Sequence, residues 1–154
     1  MNRNDIPYTD SIVFAAEYLA RTCREYARKI IKDNDLKLSF EEYLILDTVI
    51  NNPGLIQMEI AKKLFMQRSY LCKLLAKLEE DAYIKREKVI KGKRQVVLSV
   101  FITNEGISVY NQMKDSFLGA VLDNKVIDVD KMQVIRTELF AIADRMVKAY
   151  NLKL

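Results

Sequence analysis

Between Gln67 and Arg94, nine cationic side chains (Arg68, Lys73, Lys77, Lys85, Arg86, Lys88, Lys91, Lys93 and Arg94) stand against four carboxylates (Glu79, Glu80, Asp81 and Glu87). That window carries +5 in a chain of net charge +4, so everything outside it sums to −1. A near-neutral body with one basic face is the electrostatic footprint of a nucleic-acid binder. Gln67, Arg68, Ser69 and Tyr70 carry groups that can read base edges. Arginine can bridge O6 and N7 of guanine, and glutamine N6 and N7 of adenine; each such pair discriminates by about 1–3 kcal/mol. Lys73 and Lys77 lie further along and suit phosphate, which positions without specifying. Lys85, Arg86, Lys88, Lys91, Lys93 and Arg94 suit phosphate and the minor groove, with an affinity that falls steeply with salt.

The same residues argue against catalysis. The chain has no histidine, which removes the usual general base, zinc ligand and pH switch together. It has no glycine-rich phosphate loop, metal-ligand cluster or paired-carboxylate signature, so no catalytic residue, metal or cofactor is expected. Glu79, Glu80 and Asp81 read as a helix ending in solvent. The two cysteines, Cys23 and Cys72, form no framework of the secreted kind, which points to a reducing cytosol. Each reads as a small buried residue on a helix face or as a redox-active thiol. For Cys72, a nearby cation such as Arg68 would lower the pKa. The N-terminus, MNRNDIPYTD, shows no signal-peptide pattern. The uncharged stretch QVVLSVFITN is too short to span a bilayer, so no membrane partner is expected.

The elements that position the basic face follow from periodicity. A chain of 154 residues suits one domain, and its four glycines and two prolines favour long helices. A first helix is predicted over about 11–32, capped by Thr9, Asp10 or Ser11. Ser39 and Glu42 make a capping box for a second helix that stops at Asn51-Asn52-Pro53-Gly54. A short helix over 57–64 and a tight connection at Phe65 and Met66 lead to a helix over 67–81. There Leu71, Leu74, Leu75 and Leu78 form the buried stripe, and Ser69, Tyr70, Lys73 and Lys77 lie opposite. Ile84–Ile90 and Arg94–Thr103 read as a hairpin, with Val96, Leu98, Val100 and Ile102 facing the helices. Two long helices follow, one from Asn104 and one from near Asp128 or Asp130. Neither terminal helix can bury its apolar face on a small winged core, so the termini of two chains are expected to intertwine.

This order resembles the MarR family of bacterial transcriptional regulators. The resemblance is carried by the Asn52-Pro53-Gly54 stop and by Leu55-Ile56-Gln57-Met58-Glu59-Ile60-Ala61-Lys62-Lys63-Leu64. It continues in Lys73-Leu74-Leu75-Ala76-Lys77-Leu78-Glu79, and in Ile102-Thr103-Asn104-Glu105-Gly106 after the wing. It implies a mainly α fold with a small β-hairpin wing: a winged helix-turn-helix in an intertwined homodimer. Residues 36–102 would be the DNA-binding lobe of a single 1–154 domain, and 5–35 with 103–154 the dimerisation region. The implied function is a cytoplasmic repressor that binds double-stranded DNA at a pseudo-palindromic operator. The recognition helix would enter the major groove and the wing the minor groove, with release by a small molecule or an oxidant.

The resemblance also implies roles and departures. A pocket for a small aromatic or amphipathic effector would draw on Tyr18, Tyr26, Tyr43, Tyr110, Met113, Met132 and Met146, which otherwise read as plain core. One branch of the family senses peroxide through a cysteine on the first helix, the place of Cys23. The family's wing tip carries Asp-x-Arg, whereas here it is Lys91-Gly92-Lys93-Arg94-Gln95, leaving Arg94 or Lys93 for the minor groove. Phe65 and Ala82 stand where many members have glycine, so these turns are expected to be built differently. The competing function is a winged-helix protein–protein module with its basic face on an acidic partner. Such a surface needs large apolar anchors, and the recognition face offers only Tyr70.

Overall fold

In a computed structural model of the chain, residues 7–92, 95–123 and 129–151 are described. After a 3₁₀ turn at Tyr8–Asp10 the order is α1 (Ile12–Asp33), α2 (Phe40–Asn51), α3 (Gln57–Leu64), α4 (Arg68–Glu80), β1 (Ile84–Lys91), β2 (Gln95–Ile102), α5 (Asn104–Asp123) and α6 (Val129–Tyr150). Local chemistry sets the starts. Ser11 caps α1, its Oγ accepting from Phe14 N at 3.2 Å. At α2, Glu42 N donates to Ser39 Oγ at 3.2 Å and Ser39 N to Glu42 Oε2 at 2.8 Å, which is the reciprocal capping box.

The core lies where α2, α3 and α4 meet the base of the hairpin and α5. Ile45, Leu46, Val49, Ile60, Leu71, Leu75, Leu78, Ile84, Val100 and Met113 are buried there. Of the predicted α4 stripe, Leu74 is half-buried and the other three are buried. The hairpin is antiparallel, with Ile84 opposite Ile102 and Lys91 opposite Gln95. A short segment before α3 pairs with the free edge of β2. Gly54 N donates to Val100 O at 3.2 Å, Val100 N to Leu55 O at 2.9 Å, and Ile56 bridges Ser99. That third pairing protects the edge and ties the wing to the helix-turn-helix.

The structure corrects three expectations. The alternating face of β2 packs on helices only at its base: Val100 is buried, whereas Val96 is 61% exposed and its neighbour across the hairpin, Ile90, 73%. Among the described residues no helix covers Ile90 or Val96. The turns at Phe65 and Ala82 are not built differently. Both residues adopt the left-handed backbone that glycine favours, at φ 52° and 61°. Their turn hydrogen bonds close normally, Met66 N to Ala61 O at 3.0 Å and Tyr83 N to Leu78 O at 2.8 Å, at a cost of about 1–2 kcal/mol each. Finally, both cysteines are exposed rather than buried.

The terminal helices divide their faces. Ala27 and Ile30, in the second half of α1, are buried in the chain's own core. Ile12, Val13, Tyr18 and Leu19 of its first half are exposed, as are Met132, Val134, Ile135, Phe140 and Met146 of α6. Of the α6 side chains from 131 to 150, none is buried. No helix among the described residues is long and apolar enough to cross a membrane.

Candidate nucleic-acid interface

Three local devices place the recognition elements. The left-handed Phe65 turns the chain sharply between α3 and α4. Gln67 is the N-cap of α4 but its side chain makes no capping hydrogen bond, so the first-turn N–H donors of α4 lack that side-chain acceptor. After β2, Thr103 closes the base of the wing: its Oγ1 donates to Ala82 O at 2.7 Å and accepts from Gly106 N at 3.0 Å. A Cβ on Gly106 would lie 2.0 Å from Tyr83 O. The Thr-x-x-Gly run is therefore a packing requirement that lets α5 start against the turn leading into the wing.

Arg68, Ser69, Tyr70 and Lys73 are exposed on α4, beside the exposed N-cap Gln67. All five predicted base- and phosphate-reading residues at this end of the recognition helix are thus on the surface. Lys62 and Lys63, in the last turn of α3, are exposed next to them. They complete a cationic cluster that the sequence window, starting at Gln67, left out. Their signal was the (i, i+1) basic pair at a helix C-terminus one turn before the recognition helix.

Two of the predicted phosphate contacts are occupied inside the protein. Lys77 Nζ donates to Glu42 Oε1 at 2.6 Å, and the Glu42 side chain is almost wholly buried. Burial pushes the Glu42 carboxyl up, but the hydrogen bonds from Lys77 and Ser39 outweigh it and hold the group below its ordinary value. The same bond raises Lys77. Lys77 is thus a strut from the recognition helix to the first turn of α2. Arg86 Nε donates to Glu79 Oε2 at 2.9 Å, and the bond lowers the Glu79 carboxyl and raises the guanidinium. This pair fastens β1 to the end of α4. On the wing, Lys85 pairs with Glu87 at 2.6 Å with both side chains exposed, a contact of little energetic weight. Lys88 is exposed and makes no ion pair among the described residues. The backbone of Lys91 closes the β1 strand, while Lys93 and Arg94 lie outside the described residues.

The expected effector residues separate into two groups. Tyr26, Tyr43, Tyr110 and Met113 meet between α1, α2 and α5, whereas Tyr18, Met132 and Met146 are exposed elsewhere. Phe40 and Phe117 complete the aromatic cluster. Tyr43 stacks on Tyr110 at 5.3 Å, Phe117 on Phe40 at 5.8 Å, and Tyr26 meets Phe117 edge-on at 6.4 Å. Tyr110 Oη donates to Asp47 Oδ1 at 2.7 Å, and burial together with this bond pushes its phenol well up. The buried Tyr26 hydroxyl has no hydrogen-bond partner among the described residues. Beside Phe40, an open cavity of about 340 Å³ runs past Arg24, Leu44, Leu64 and Tyr70.

Residues 35–95 match the MarR family model. Over that segment the chain is similar to the MarR family. It is 28% identical over 148 residues to the HTH-type transcriptional regulator TtmR of Methylorubrum extorquens (strain PA1), covering 92% of this chain and 74% of the relative. Its fold is similar to that of the transcriptional repressor CouR bound to a 23-mer DNA duplex. The TM-score is 0.74 at 19% identity, with 88% of this chain and 94% of that one covered. It is similar also to NadR in complex with 4-hydroxyphenylacetate, with a TM-score of 0.72 at 18% identity and coverage of 90% and 96%. The matched segment is the winged helix-turn-helix, and a fold like that of a MarR family transcription regulator extends over most of the chain.

Proposed function

We propose that the protein is a cytoplasmic homodimeric repressor of a pseudo-palindromic operator. The observation that carries this reading is the exposed row Gln67, Arg68, Ser69, Tyr70 and Lys73 on a helix whose opposite stripe is buried, beside a cationic hairpin. The row enters the major groove, where Gln67, Arg68 and Tyr70 face base edges and Lys73 reaches phosphate. Lys85, Lys88 and Lys91 follow the backbone, and Arg94 or Lys93 takes the minor groove. Lys77 and Arg86 act from behind: one holds the recognition helix, the other the wing. The second copy covers the exposed apolar faces of α1 and α6, which supports a symmetric dimer reading two half-sites.

Release falls to an aromatic or amphipathic effector against Phe40, Tyr43, Tyr110 and Phe117. The unmatched Tyr26 hydroxyl supports this, since a ligand oxygen would recover a cost of about 1–3 kcal/mol. The NadR complex holds a ligand of that kind. Exposure of both thiols leaves an oxidant signal as a second route to release. A selection on random duplexes tests the proposal. An enriched inverted repeat with half-site centres about 10 base pairs apart or a multiple, bound with a steep salt slope, is the expected result. Weak binding set by salt alone would favour the protein–protein module.

A further inference from the structure

The outer half of the wing is left open in three respects. The first is an apolar face. Lys88 and Ile90 of β1 share one side of the hairpin with Leu98 and Val96 of β2, and Ile90, Val96 and Leu98 are 73%, 61% and 43% exposed. The second is a strand edge. Val100 spends its backbone N–H on Leu55 and its C=O on Gly54, so its opposite residue Arg86 turns its own backbone groups away from β2, and by alternation so do Lys88 and Ile90. Glu79 accepts from the Arg86 backbone, which closes the edge beside α4. Beyond it, the backbone groups of Lys88 and Ile90 on that edge have no partner among the described residues. The third is charge. Lys85, Arg86, Lys88, Lys91, Lys93 and Arg94 stand against Glu87 alone, whereas β2 from Gln95 to Ile102 carries no charge.

We propose that the outer edge of β1 receives an extended acidic segment of another protein as an added strand. Its backbone bonds to Lys88 and Ile90, aliphatic side chains at every second position lie on Ile90, Val96 and Leu98, and the carboxylates between them meet the cations of the wing. The three features together select this occupant. Two copies of the wing repel each other, because like charges on paired strands destabilise the pairing. A duplex satisfies the cations but leaves the aliphatic trio and the strand edge unmatched. An anionic bilayer accepts cations and aliphatic groups but offers nothing to the strand edge. An acidic strand of alternating pattern matches all three. Lys85 and Lys88 also follow the DNA backbone in the function proposed above, so the added strand and the duplex exclude each other, and an acidic protein becomes a means of release. That consequence rests on the DNA-binding reading, whereas the docking rests on the wing alone.

The test uses the full chain and a capped, fluorescein-labelled peptide of alternating valine and glutamate, as long as the eight residues of β1, read by anisotropy without DNA. Three control peptides divide the contributions: lysine in place of glutamate, the same residues in two blocks, and N-methylation of every second amide. Each should bind at least about tenfold more weakly, a difference of about 1.4 kcal/mol. Ile90→Ser, at an exposed position, should weaken binding several-fold. Lys88→Pro removes an N–H that points away from β2, so the β1–β2 ladder keeps its bonds while the edge is blocked. It should weaken binding well beyond Lys88→Ala, which removes the charge alone. If Lys88→Pro disturbs the hairpin, N-methylation on the wild-type protein still decides. The proposal is overturned if the peptide does not bind, if the N-methylated or lysine peptide binds equally, or if Lys88→Pro and Lys88→Ala are alike in a folded hairpin. Binding to phosphatidylglycerol vesicles without binding to the peptide would assign the face to a bilayer instead. In a DNA titration the apparent Kd should rise in proportion to peptide concentration, and a plateau overturns the exclusion because it shows a ternary complex. If the protein binds no DNA but the anisotropy results hold, the added strand stands and the regulatory reading fails.

Discussion

Replacing Lys77 by methionine separates a strut from a DNA contact. The substitution keeps most of the aliphatic stem and removes the ammonium. Glu42 stays buried at 1% exposure with its cation gone. Deleting one partner of a buried pair costs about 3–5 kcal/mol in general. Two features lower the figure here: the Lys77 side chain is 54% exposed, and Ser39 N still donates to the carboxylate at 2.8 Å. A loss of about 2 kcal/mol is expected, which for a chain of this size lowers Tm by about 4–8 °C. The Glu42 carboxyl is held below its ordinary value of 4.5, so its stabilisation is complete above that pH and is lost as acid protonates the folded group. The gap between wild type and Lys77→Met should therefore be full at pH 7 and close as pH falls below about 4.5. Thermal unfolding at matched protein concentration across pH reads this directly. Glu42→Gln combined with Lys77→Met should cost less than the two singles together. In DNA titrations the slope of log affinity against log salt should be unchanged, whereas loss of a phosphate contact lowers it by about 1. An unaltered Tm with a shallower slope would refute the strut.

Gly106→Ala brings a Cβ to 2.0 Å from Tyr83 O, and the forced shift of backbone should cost about 3 kcal/mol or more, seen as a fall in denaturant midpoint. Ala82→Gly acts in the opposite direction: relief of the left-handed backbone gains about 1–2 kcal/mol and the freer unfolded chain returns about 0.4–1, leaving a net stabilisation of about 0.5–1 kcal/mol. A lowered Tm for that variant would show that the turn does not strain alanine. Lys88→Ala should leave Tm within about 2 °C and reduce the DNA salt slope by about 1, while Arg86→Ala should lower Tm because the Glu79 anchor of the wing is lost. Equal salt slopes for wild type and Lys88→Ala would remove Lys88 from the phosphate path.

What was legible in the sequence was local or periodic. The Ser39–Glu42 box spans three residues, and the Pro53-Gly54 stop and the leucine stripe of α4 announce themselves within one element. The partners of the cations were not legible. Lys77 and Glu42 are separated by 35 positions, and nothing in either neighbourhood distinguishes a strut from a solvated lysine. The alternation of Val96, Leu98, Val100 and Ile102 gives the two faces of β2 but not how far the helices reach beneath it. The pairing of Leu55 and Ile56 with β2 involves a segment too short to show a period. Tyr18 and Tyr26 share the same helical spacing on α1, yet only Tyr26 reaches the aromatic cluster, because α5 covers the second half of that helix and not the first. Set against the glycines of the family it resembles, Phe65 and Ala82 argued for altered turns; the backbone there is held by the helices on either side, which override the preference of one residue.

The stacked pair Tyr43–Tyr110 gives the molecule an optical reporter of its own. The chain has eight tyrosines and no tryptophan, so no indole band masks phenol absorption or emission. Two parallel rings 5.3 Å apart, one of them hydrogen-bonded to Asp47, couple their transitions in a fixed chiral arrangement and give a near-ultraviolet dichroism that free tyrosines lack. Anything that parts the rings or takes the Asp47 bond from Tyr110 alters that signal without a label or a mutation. The state of the interior between α1, α2 and α5 can thus be followed by light while the reading head is engaged elsewhere.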